Sequence, residues 1–208
     1  MNIAILLYEK MTALDAIGPY EVLSRLPDAN VVFTAERAGL VTTDTGFLRL
    51  DAQRSLADVT DVDLLLVPGG PGDRAVRDNP TVLEWIRRVN ESTRYTTSVC
   101  TGSLILGAAG LLKGLRATSH WTQLEVLREY GAEPTGERVV EQGKIVTAAG
   151  VSAGIDMALR LVSTLVGDEF AQGLQLGIEY DPQPPFDTGA PEKAPAPIVA
   201  LVRAAMTY

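Results

Sequence analysis

Short strand-like runs alternate along this chain with helix-length segments, and that alternation constrains the fold more than any other feature. Ile3–Leu7 and Asp63–Val67 are almost continuously apolar. A strand without polar alternation has to be covered on both faces, which is the condition of a parallel sheet between layers of helices. Leu14–Leu26, the segment opened by Asn79-Pro80, Thr122–Tyr130 and a long stretch after Ser152 supply helices. Asn79 is placed to cap, Pro80 takes the first helical position, and Leu83, Ile86 and Val89 repeat on one face. After Ser152, read as a cap, the stripe is Ile155, Leu159, Val162 and Val166. Val31–Thr34, Tyr95–Val99 and the short Ala117–Ser119 read as further strands. Two hairpins complete the pattern. One spans residues 41–51, turning near Thr45-Gly46 at a sheet edge, and the other joins Val139–Glu141 to Ile145–Thr147. The fold class is α/β, a mostly parallel sheet with helices on both faces, in one domain over residues 1–208. Residues 181–197 hold six of the twelve prolines and read as an extended arm leading to a last helix, Ile198–Met206.

The only cysteine, Cys100, ends the Tyr95–Val99 strand and precedes Thr101-Gly102-Ser103 and a small-residue helix. Strand, sharp turn and helix place the thiol over a helix N-terminus, where unpaired N–H groups and the helix dipole favour the thiolate. A thiolate there is fit for covalent chemistry, whereas an arbitrary lone cysteine is a small core hydrophobe. In a doubly wound sheet, ligands bind beyond the carboxyl ends of the strands. Two further features fall at that end. The Pro68-Gly69-Gly70 turn lets the amides of Gly69 and Gly70 approach a developing negative charge, or is a plain tight turn. Asp15, in the first turn of the first helix, either complements the helix N-terminus or, beside Cys100, gives and takes a proton. His120 is the only histidine. It follows a short strand, beside Trp121, and a structural role takes precedence there over direct catalysis.

A formal net charge of −8 argues against nucleic acid and against anionic membrane surfaces as partners. A single thiol cannot form an intramolecular disulfide and fits a reducing cytoplasm. The N-terminus lacks a basic region before its apolar run, so it reads as a first strand and not a signal peptide. One histidine and one cysteine make no metal cluster, and no phosphate- or dinucleotide-binding glycine motif is present.

Four segments occur in the order found in the ThiJ/PfpI superfamily, related to the class I glutamine amidotransferases. They are Leu14-Asp15-Ala-Ile-Gly18-Pro19, Val67-Pro68-Gly69-Gly70, Ser98-Val99-Cys100-Thr101-Gly102 and Ala149-Gly150-Val-Ser-Ala153-Gly154-Ile-Asp156. The chain resembles that superfamily over nearly its whole length. Within it, Ser98–Ser103, Ala117–Trp121 and Glu179–Phe186 look like the branch that hydrates isonitriles. The resemblance implies a flavodoxin-like sandwich and a homodimer. It implies an isonitrile substrate converted to an N-substituted formamide without cofactor or metal. It also implies Cys100 as nucleophile on its strand-to-helix turn, Asp15 as the acid–base carboxylate, and Thr101 beside the thiol. Gly69, Gly70, Gly150, Val151, Ile17, His120 and Trp121 are then the substrate-binding candidates, with Ile17, Trp121 and Val151 forming an apolar pocket. Peptidase-like members of the superfamily carry a histidine where this chain has Thr101. Many glyoxalase-like and redox-sensing members carry a glutamate where it has Asp15, and the shorter side chain leaves room beside the sulfur. A glyoxalase- or deglycase-like activity on small carbonyls, and a thiol-based sensor, are the competing readings.

Overall fold

The computed structural model describes residues 1–206. The strands in chain order are β1 (Asn2–Leu6), β2 (Asn30–Ala35), β3 (Gly39–Thr42), β4 (Arg49–Ala52), β5 (Arg54–Ser55), β6 (Leu64–Val67), β7 (Tyr95–Val99), β8 (Arg116–Ala117), β9 (Glu133–Pro134), β10 (Val139–Gln142) and β11 (Ile145–Ala148). The helices are α1 (Ala13–Leu23), α2 (Asp73–Arg77), α3 (Pro80–Ser92), α4 (Gly102–Ala108), α5 (Ala153–Val166), α6 (Asp168–Gly177) and α7 (Ala196–Ala205). Seven strands form the central sheet in the order β10-β11-β7-β6-β1-β2-β5. Within this sheet, β10 and β11 pair antiparallel and the other neighbours parallel. Beyond the carboxyl ends of β1, β6, β7 and β11 lie the segments carrying Asp15, Pro68–Gly70, Cys100 and Gly150–Val151.

The central strands are buried as their sequences require. Every residue of β6 and β11 is inaccessible or nearly so. β7 is polar yet buried, and its hydroxyls are mostly satisfied internally: Thr97 Oγ1 donates to the Leu65 carbonyl at 2.9 Å, and Thr96 Oγ1 to Asn90 Oδ1 at 2.8 Å. α1 and α6 pack on α5, while α2 and α3 pack on α4, and the two groups cover the two faces of the sheet. α3 starts as expected, with Asn79 Oδ1 accepting the amides of Thr81 and Val82 and Pro80 at the first turn. Its buried face includes Leu83, Ile86 and Val89.

Several expectations are corrected. The 41–51 hairpin exists as β3–β4, but it forms its own two-stranded sheet; β5 takes the edge of the main one. α1 ends at Leu23 and not Leu26. The 121–130 segment is 3₁₀ in character, ending at Gly131 with φ 74°. Ser152 precedes α5 but its side chain caps nothing, because its backbone is already helical. The buried face of α5 is Ala153, Gly154, Met157, Ala158, Leu161 and Val162, rotated from the expected stripe, and Val166 is exposed. α2 and α6 have no counterpart in the sequence reading. The arm runs from residue 181 to α7, which begins at Ala196 and has no buried residue.

Candidate active site

Cys100 sits between β7 and α4 with φ 57°, in the left-handed region that a side chain rarely adopts. Its peptide is held from both sides. The Cys100 N–H donates to the carbonyls of Ala148 and Ala149 at 3.1 and 3.0 Å. Its carbonyl accepts the hydroxyls of Ser103 and Ser119, each at 3.1 Å. Such multiple anchoring is what sustains an unfavourable backbone conformation at a site. The residue is 4% exposed.

Asp15, in the first turn of α1, is fully buried. Its Oδ2 accepts the Gly69 N–H at 2.9 Å. Its Oδ1 is buried without a partner. Burial pushes this carboxyl from its ordinary 3.8 to about 7, against the pull of the Gly69 amide and of Cys100. Burial, and next the Asp15 charge, hold the Cys100 thiol well above its usual range, while the amides of Thr101 and Val151 pull it down. The helix-terminus expectation of a lowered thiol is therefore corrected: α4 is seven residues long, and its end cannot offset burial beside a carboxylate. Thiol and carboxyl instead form a buried pair in which ionising one group raises the other.

The Pro68–Gly70 turn is a scaffold for this pair. A Cβ on Gly69 would stand 2.4 Å from the Thr101 nitrogen and 2.9 Å from Cys100 Cβ, so only glycine lets the turn approach. The amides expected to face a ligand have internal partners: Gly69 N–H serves Asp15, and Gly70 N–H donates to Thr101 Oγ1 at 3.0 Å. Thr101 thus lies beside the thiol, with its backbone amide directed to the sulfur and its hydroxyl tied to the turn.

A cavity of about 760 Å³ is lined by Ser119, Ala149 and Val151, which hydrogen-bond to Cys100, although neither Cys100 nor Asp15 itself lines it. His120, Trp121, Gly150 and Val151, four of the substrate-binding candidates, line it. Gly69, Gly70 and Ile17 do not; Ile17 is half-buried on α1, away from the lining. Val151, whose amide reaches the thiol, joins the cavity to the sulfur. His120 packs against Gly150, where a Cβ would come within 2.6 Å of the imidazole Cδ2. Its Nδ1 lies 2.8 Å from the Thr122 hydroxyl and 3.3 Å from the Thr122 amide, and burial lowers its pKa. The imidazole is a neutral wall of the cavity.

Asp73 and Tyr8 at the site carry no sequence signal. Asp73 is 5% exposed and pairs with Arg77 at 3.5 Å; its aspartate–arginine spacing of four is that of an ordinary surface helix. Tyr8 donates its hydroxyl to the Pro68 carbonyl at 2.8 Å, and its phenol lies within electrostatic reach of Asp73, Asp15 and Cys100. Among the described residues, no group of three or more metal-ligating side chains exists, and no helix is long and apolar enough to cross a membrane.

The DJ-1/PfpI family profile matches residues 1–164. Isonitrile hydratase from Pseudomonas putida is 45% identical over 203 residues, covering 98% of this chain and 89% of that protein. Glutathione-independent glyoxalase DJR-1.2 of Caenorhabditis elegans is 29% identical over 112 residues, 54% of this chain and 60% of that one. The crystal structure of a ThiJ/PfpI family protein from Pseudomonas syringae matches with TM-score 0.95 at 39% identity, over 98% of this chain and 85% of that chain.

Proposed function

The chain belongs to the DJ-1/PfpI family, and from that premise we propose that it adds water to isonitriles, giving N-substituted formamides through a covalent intermediate on Cys100. The observation that carries this reading is the buried Cys100–Asp15 pair, joined through Val151 to a cavity. The terminal carbon of an isonitrile accepts a nucleophile and a proton at the same atom, so a thiol and a carboxyl buried within electrostatic reach of each other match its reactivity. In the reactive form the pair holds one proton. Its transfer from sulfur to Asp15 leaves a thiolate beside a neutral carboxyl. The thiolate bonds to the terminal carbon while Asp15 protonates that carbon, giving a thioimidate and a carboxylate. Asp15 then takes a proton from water as the oxygen adds to the same carbon, and passes it to nitrogen. Collapse forms the carbonyl, breaks the carbon–sulfur bond and returns the hydroxyl proton to Asp15. The sum is one isonitrile and one water to one formamide, and no step calls for a metal or an oxidant. Thr101 fixes the sulfur through its amide.

We take the whole chain as one working unit in the cytoplasm, acting as a homodimer. Ile198 and Leu201, 45% and 66% exposed on a helix with no buried residue, support a second copy as the cover for α7. Light scattering at micromolar concentration should return twice the chain mass of 22.2 kDa, and a mass of one chain would count against the dimer.

The test of the reaction is intact-mass analysis with cyclohexyl isonitrile, run beside methylglyoxal. The expected result is a transient adduct of one isonitrile mass on Cys100 and steady release of N-cyclohexylformamide. Release of lactate from methylglyoxal with no formamide would replace the reading by a glyoxalase one. A single modification without turnover would make the thiol a sensor.

A further inference from the structure

The segment Glu179–Phe186 and the arm after it have no role in the chemistry above, yet they are anchored to the cavity. At the root of the arm, the Tyr180 hydroxyl donates to Asp156 Oδ1 at 2.8 Å. The other oxygen of Asp156 pairs with Arg138, which also donates to Ser152 Oγ at 3.2 Å. Both Arg138 and Ser152 line the cavity, so the root of the arm is tied to the rim. Residues 189–193 also line the cavity, folded by a turn in which the Ala190 carbonyl accepts the amides of Lys193 and Ala194 at 3.0 and 3.1 Å. At the far end, the Arg203 guanidinium of α7 lies 4.9 Å from the centre of the Trp121 ring, a cation–π contact across the mouth.

We propose that this arm is the outer wall of the substituent pocket and sets the size and polarity of the isonitrile accepted. The inference rests on the isonitrile reading and deepens it. Val151 joins the cavity to the thiol, so a substituent on nitrogen that enters the cavity meets walls to which Trp121, Ala190 and Pro191 contribute. The cations of the lining are committed: Arg138 to Asp156, Lys193 to Asp187, Arg203 to the Trp121 face. Trp121, Leu124, Ala149, Val151, Ala190 and Pro191 supply its apolar surface, with His120 and Glu192 beside them. Such a surface takes an uncharged, apolar substituent, cyclic or aromatic in bulk, and has no spare cation for a carboxylate.

Two variants read this out. Ala190→Phe fills the cavity from the arm, and Arg203→Ala opens its mouth. With cyclohexyl isonitrile, each should raise KM by about 10-fold or more at little change in kcat, because only binding of the substituent is altered. With methyl isonitrile, which does not reach the arm, each should stay within about 2-fold of wild type. Equal losses on both substrates, or none on either, would overturn the proposal. A binding measurement separates it from the reaction itself. Trp85 is buried with its indole N–H on the Val59 carbonyl, so a ligand-linked fluorescence change in Cys100→Ser belongs to Trp121. N-cyclohexylformamide should produce that change, Trp121→Phe should abolish it, and Ala190→Phe should weaken the affinity. That pattern without wild-type turnover of either isonitrile would sustain the wall while removing the reaction. No fluorescence change, or one indifferent to Ala190→Phe, would remove the wall.

Discussion

Cys100→Ser is expected to lose isonitrile turnover by about 10⁴-fold or more, the order seen when a covalent nucleophile is removed from a coupled site. The argument is electrostatic as well as chemical. Burial and the Asp15 charge already oppose ionisation of the thiol, and a hydroxyl begins several units further from its anion. The amides of Thr101 and Val151, which pull the thiol down, cannot close that gap. The fold should survive, since the substitution is nearly isosteric and the new hydroxyl faces the same amides and Asp15. A melting temperature within a few degrees of wild type, with no thioimidate by mass, is the expected pair of observations. Turnover retained at even a tenth of the wild-type rate would dismiss covalent thiol catalysis.

The same two groups show how far the amino-acid sequence could be read. Cys100, Asp15 and Thr101 are legible because strand-to-turn transitions mark the carboxyl end of the sheet, and the structure brings all three together there. The thiol's ionisation is not legible in the same way. A helix N-terminus is visible in sequence, whereas the depth of burial and the nearness of a carboxylate are tertiary facts. The Gly69 and Gly70 amides fall in the same class: glycine reveals that a backbone comes close to something, and here that something is Asp15 and Thr101. On α5 the periodicity was correct but its phase was not. The large aliphatics Ile155 and Leu159 attracted the assignment, while the helix buries Ala153, Gly154 and Ala158, whose small side chains allow α1 and the sheet to approach. Asp73 is hidden from sequence for a similar reason, since an Asp–Arg pair four apart looks solvated until its burial is known. The arm was recognised as extended from its prolines, but only the structure lays residues 189–193 and Arg203 along the cavity.

Asp15→Asn is expected to lose most activity and to gain stability, and the combination separates a proton carrier from a structural carboxylate. An amide can neither protonate the isonitrile carbon nor take a proton from water, so a loss of about 10²–10⁴-fold follows from removing general acid–base catalysis. If water activation suffers more than the first step, the thioimidate should accumulate and be seen by mass. In the wild type, kcat/KM should rise with pH as the pair loses its first proton near 7, where burial has placed Asp15. The stability effect has the opposite sign to that of an ordinary paired aspartate. Folding raises this carboxyl from 3.8 to about 7, so the native state binds the extra proton. The cost of the buried charge is then fully present above about pH 7, shrinks as pH falls, and vanishes below the unfolded value. Asparagine never carries that charge. Its melting temperature should exceed wild type at pH 8 by on the order of 5 °C, with the two proteins converging near pH 4. A structural carboxylate would give a less stable variant at pH 8, and near-normal turnover would pass the proton to another group. Activity lost together with stability gained is the result that assigns the proton to Asp15, because the charge that burdens the fold is the one the reaction uses.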